Sequence, residues 1–127
     1  MSENADRVRA FYEGAAAGQP DMEVFHPDVE FRMPDVLPHG GAVHGREALG
    51  RYFGEVLSRW DDFRADLDDL VDGDDRVVAL GRFCGRPRAN GRYVEVPFAL
   101  VWTMRGGQAV EVDEYPDTAV LLDALRP

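Results

Sequence analysis

At 127 residues the chain is long enough for one domain with a real core, and a hydrophobic fraction of 45% marks a globular rather than a disordered protein. Twenty-four acidic residues against 14 basic ones give a net charge of −10, which argues against nucleic acid or an anionic membrane as partner. Every base is an arginine; without lysine there is no Schiff-base chemistry and no phosphate loop of the lysine-bearing kind. The single cysteine, Cys84, cannot close an internal disulfide. No apolar run resembles a signal peptide or approaches the roughly 18 residues of a membrane span, so a soluble cytoplasmic protein is expected. No repeat or linker interrupts the chain, which reads as one domain over residues 1–127.

The spacing of Ala5, Val8, Phe11, Tyr12 and Ala15 predicts a helix over 4–17, ended by Gly18-Gln19-Pro20. Met22, Val24 and Phe25 suggest a short further turn. Val29, Phe31 and Met33 alternate, predicting a strand over 27–33, and 34–45 reads as a long Pro/Gly loop. Leu49, Tyr52, Phe53, Val56, Leu57 and Trp60 form one apolar stripe on a helix over 46–60. Strands are expected over 63–71 and 76–85, joined through Asp72-Gly73-Asp74-Asp75. Val94, Val96, Phe98, Leu100, Trp102 and Met104 fall at every second position, the mark of a long strand with one buried face. Arg105-Gly106-Gly107-Gln108 reverses the chain, and a partner strand follows over 109–115. Asp117 is placed to cap a last helix ending near Leu125. Helices on one face of a curved, mostly antiparallel sheet make an α+β fold.

One carboxylate falls on the covered face of that hairpin. Glu114 shares a side with Val110 and Val112, where burial would raise its pKa and suit it to general acid/base work near neutral pH. The alternative is a rim glutamate paired with an arginine. Arg82, on the preceding strand pair, reads either as that partner or as an anion clamp in a pocket. His39 and His44 lie in the Pro/Gly loop expected to overhang the pocket mouth, and His39 is the better candidate for a proton shuttle. No two histidines have ligand spacing, so no metal site is expected, and no motif for a cofactor appears. The opposite side of the long strand shows Tyr93, Glu95, Pro97, Ala99, Val101 and Thr103, with Tyr115 on the returning strand. One charge in that row suggests a face-to-face homodimer contact.

The element order, with HPDVEF at 26–31, HGREALGRYF at 44–53 and VEVDEYPDTAVLLDAL at 110–125, resembles the NTF2-like superfamily and more narrowly its SnoaL-like branch. That branch holds polyketide cyclases, ketosteroid isomerases and limonene epoxide hydrolases. The resemblance implies a cone of curved sheet and helices around a deep apolar pocket, and often a dimer through the outer sheet. Carried over by residue, the ketosteroid isomerase pattern is lost. Met33 stands where its base would be, Phe11 at its oxyanion tyrosine and Ala99 at its protonated aspartate. The epoxide hydrolase pattern survives only in VDEYPD, with Glu114 as the acid; its Arg/Asp pair would fall near Gly81 and Phe83.

The expected pocket walls are Phe11, Tyr12, Phe31, Met33, Tyr52, Phe53, Trp60, Phe98, Leu100, Trp102 and Val112. The expected function is cofactor-independent acid/base chemistry, an aldol-type cyclisation or an isomerisation, on an apolar carbonyl or polycyclic compound. The competing readings are non-catalytic binding of an apolar small ligand and an epoxide hydrolase-like activity. An enzyme needs a second polar group facing Glu114; a binding module does not.

Overall fold

The computed structural model describes all 127 residues. Helix α1 covers Glu3–Ala16 and is capped by the Ser2 hydroxyl, which accepts from the Ala5 amide at 3.1 Å. A single 3-10 turn, Met22–Val24, leads into strand β1, Phe25–Met33. Strand β2 is Gly41–His44, helix α2 Arg46–Arg59, and strands β3 and β4 are Trp60–Gly73 and Arg76–Pro87. Strand β5, Val94–Arg105, turns into β6, Gln108–Pro116, and helix α3, Thr118–Ala124, closes the chain. Gly106 and Gly107 both take positive φ, at 61° and 77°, which is what a two-residue hairpin turn demands and glycine supplies without strain.

The six strands form one sheet in the order β2-β1-β6-β5-β4-β3. Only the β1–β6 pairing is parallel, so the sheet is mixed. Side chains at alternate positions of β5 line its concave face, where Val96, Phe98, Leu100, Trp102 and Met104 are all buried. On β4 the inward positions opposite Phe98 and Leu100 are small, Gly81 and Ala79. Gly81 pairs with Phe98, whose ring lies over it, and any side chain at Gly81 would also strike the Asp66 carbonyl. Helix α1 sets Ala5, Val8, Phe11 and Tyr12 into this concavity. Helix α2 differs: Leu49 is its only fully buried residue, because most of its apolar stripe walls a cavity rather than a solid core. No helix is long and apolar enough to cross a membrane.

The architecture departs from the sequence-based expectation in four places. The loop over 34–45 contains β2, which pairs antiparallel with β1 through Phe31 and Val43; four residues are too few to show a period. Trp60 opens β3 instead of ending α2, although it is buried as its apolar stripe requires. Leu57, expected inside that stripe, is exposed. A bulge after Thr103 shifts the alternation of β6, so Ala109 takes the inner place and Val110 is left half-buried at the irregularity. Val112 and Glu114 keep the inward side.

Candidate functional site

A cavity of about 870 Å³ opens between the concave sheet face and the three helices. Its walls are mostly hydrophobic, and a volume near the upper end of ordinary ligand sites suits a drug-sized or polycyclic molecule. Eight of the eleven expected wall residues line it: Phe11, Tyr12, Phe31, Tyr52, Phe53, Trp60, Leu100 and Trp102. Met33, Phe98 and Val112 are buried but sit behind the wall as core. Several lining residues escaped the sequence reading. Phe83 alternates inward on β4 and stacks on Phe63 with ring centroids 5.8 Å apart. Leu121 and Leu125 of the closing helix are one helical turn apart and both face the cavity. Phe25 and Arg59 also line it.

Glu114 stands in this wall. The β6 alternation turns Val112, Glu114 and Pro116 inward, and the register sets Glu114 beside Leu100. The residue is 7% exposed, and burial alone pushes its pKa up to about 7. It forms no ion pair. No side chain donates to it, yet no buried side-chain oxygen or nitrogen lacks a partner, so the carboxylate opens onto the cavity itself.

Two phenols lie within its electrostatic reach. Tyr12 accepts a hydrogen bond from the Trp102 indole at 3.2 Å, which leaves its own O–H free to donate. Tyr52 comes from α2. Burial, reinforced by the Glu114 charge, raises both phenol pKa values well above the ordinary one, so both are neutral hydroxyls at physiological pH. Glu114 therefore shares a largely apolar chamber with two neutral hydroxyl groups.

Arg82 takes no part. Gly81 and Phe83 occupy the inward places of β4, so Arg82 turns to the outer face, where it pairs with Glu95 at 3.1 Å and Asp68 at 3.3 Å. Neither the Glu114 partner nor the pocket clamp expected of it is realised. The positions for a hydrolase Arg/Asp pair, Gly81 and Phe83, hold no ionisable group. His39 does line the cavity, half-buried, its ring centroid 6.2 Å from that of Tyr52. Burial and the nearby Arg59 charge push its pKa below the ordinary histidine value, so it is neutral at pH 7. His39 and Glu114 share the chamber but no hydrogen bond. His44 lies away from it, exposed on β2 with Nδ1 at 2.9 Å from Glu30, which raises its pKa. Cys84 is fully buried.

A mixed sheet curved around helices, with a deep apolar chamber between them, is the architecture of NTF2-like proteins, and solved structures agree on the fold. The chain is similar to an NTF2-like protein of unknown function from Burkholderia pseudomallei K96243, with 26% identity, TM-score 0.88 and full coverage of both chains. It is also similar to TerC, crystallised with polyporic acid, at 25% identity and TM-score 0.85 over 98% of each chain. A putative SnoaL-like polyketide cyclase from Jannaschia sp. CCS1 shares the fold at 19% identity and TM-score 0.81, over 98% of this chain and 93% of that one. The model of the SnoaL-like domain matches residues 6–112, and the chain belongs to that family. No curated protein matches it.

Proposed function

We propose that this protein is a cofactor-independent acid/base enzyme for an apolar carbonyl or polycyclic compound, with Glu114 moving a proton at a carbon next to the carbonyl. The observation that carries the reading is a buried carboxylate without a cation, facing a ligand-sized chamber. With a pKa of about 7 it is present in both forms at neutral pH. The carboxylate removes the proton and leaves an enolate. The resulting acid returns the proton to another carbon in an isomerisation, or to the alkoxide formed when the enolate carbon attacks a second carbonyl in a cyclisation. Tyr12 and Tyr52 are the donors for the enolate oxygen, their hydroxyls held in a water-poor wall where such bonds are strongest. The TerC complex and the putative cyclase of the same fold support this class of ligand.

The test is proton exchange on 2-tetralone in D2O, followed by NMR. Wild type should accelerate loss of the protons next to the ketone, and Glu114→Gln should lose roughly 10²–10⁴-fold of that acceleration. Exchange no faster than buffer, or unchanged in Glu114→Gln, overturns it.

Non-catalytic binding is the second reading. It is favoured by the absence of any hydrogen bond holding Glu114 in a fixed orientation, and it expects saturable binding of the ketone without exchange. The outer face of the sheet belongs to the same proposal, as the contact of a homodimer centred on Ala99 and Val101.

A further inference from the structure

Resting on that reading of the cavity, we propose that its ligand carries an anionic group, a carboxylate or a comparably acidic enol, seated on Arg59 with His39 beside it. Three arginines line the chamber. Two of them are already engaged: Arg64 with Asp66 at 3.0 Å, and Arg88 with Asp61 at 3.0 Å. Arg59 makes neither an ion pair nor a hydrogen bond through its side chain. Glu55 precedes it by four residues on α2 and lines the same cavity, a spacing at which acid and base pair readily, yet the two do not pair. Of the three cavity-lining arginines, only Arg59 is left open, and its planar fork matches a carboxylate.

The position of Arg59 also fixes where the anion lies. Tyr52 and Arg59 are seven residues apart on α2, on one side of the helix and separated by about 10 Å along its axis. Tyr52 belongs to the Glu114 end of the chamber, and His39 stands within reach of both Tyr52 and Arg59, its ring centroid 6.2 Å from that of Tyr52 and its ring close enough to feel the Arg59 charge. A ligand with its anion on Arg59 therefore reaches the Glu114 end through a body the length of a linear three-ring system. The aromatic walls between, Phe53, Trp60 and Phe63 among them, suit such a flat body. Its charge stays far from Glu114, where a second negative charge would be disfavoured. The neutral His39 ring can add a hydrogen bond without adding charge.

The experiment compares anthraquinone-2-carboxylate with anthraquinone-2-carboxamide, by quenching of the fluorescence of Trp60 and Trp102, both of which line the cavity. Wild type should bind the carboxylate roughly three- to tenfold more tightly than the amide, less so in high salt. Arg59→Gln should abolish that preference while leaving the amide affinity unchanged, and Arg88→Gln should keep it. An undiminished preference in Arg59→Gln overturns the proposal. So does equal weakening of both probes, which would mean Arg59 serves only the end of α2, and so does failure of both probes to bind. The two readings separate cleanly: Glu114→Gln should retain the carboxylate preference. If exchange of 2-tetralone fails while an Arg59-dependent preference stands, the acid/base reading falls and the anion site remains.

Discussion

The indole N–H of Trp102 donates to the hydroxyl oxygen of Tyr12 at 3.2 Å, inside the cavity wall. This bond ties α1 to β5 and satisfies a buried donor. It also spends a Tyr12 lone pair rather than its proton, so the phenol remains able to donate toward the Glu114 side. Packing and site chemistry thus depend on the same contact.

Removing that acceptor has a definite cost. Tyr12→Phe keeps the ring, which packs edge-on to Phe11 and Trp102, and strands the indole N–H. Urea unfolding should show a loss of about 1–2 kcal/mol. Exchange of 2-tetralone should slow in the same variant. A stability change below about 0.5 kcal/mol would mean that the indole finds another partner, and that the bond does not hold α1 on the sheet.

Glu114 should make the fold sensitive to pH. A glutamate ionises near 4.5 in the unfolded chain, and here burial moves it to about 7. The folded state holds the proton more tightly, so between those values it binds more protons than the unfolded state, and stability falls as pH rises. The loss is complete above pH 7 and amounts to roughly 3 kcal/mol. Glu114→Gln carries no charge to desolvate. It should match wild type near pH 4.5 and exceed it by about that amount at pH 8, in parallel denaturation curves. A constant gap across the range would show that the carboxylate has an ordinary pKa and is no poised base.

Much of this was legible because periodicity reports burial directly. The alternation from Val94 to Met104 and the odd inward acid Glu114 needed only the period of a strand, and the glycine pair at 106–107 needed only turn chemistry. What the sequence hid were breaks in period. The bulge that displaces Val110 leaves no mark in residue type, and β2 is too short to alternate. Arg82 shows another limit: a residue's face follows from its neighbours' parity, and the inward places went to Gly81 and Phe83, which look unalike in sequence. Arg59, at the end of a helix, carries no mark in the sequence that separates it from the other arginines. What sets it apart is that it lines the cavity unpaired while Arg64 and Arg88 there are paired, and both properties exist only in three dimensions.

The outer sheet face supplies the last prediction. Val71, Val78 and Val101 lie in one line across β3, β4 and β5, and Leu80, Ala99 and Tyr115 form the next line across β4, β5 and β6. Tyr115 is 59% exposed and Val71 51%, so this is open apolar surface. The arginines beside it are already engaged within the chain. Arg32 is held by Asp113 at 2.6 Å and Glu111 at 3.0 Å, and Arg82 lies between Asp68 and Glu95. A two-fold axis near Ala99 and Val101 would set the valines of both copies together. Val101→Arg places a guanidinium at that centre while its side chain stays in water in the lone protomer, so the fold should survive it. Sedimentation velocity should give a dimer for wild type and a monomer for the variant, with unchanged circular dichroism. A monomeric wild type, or a variant that remains dimeric, would show that this face is not the interface.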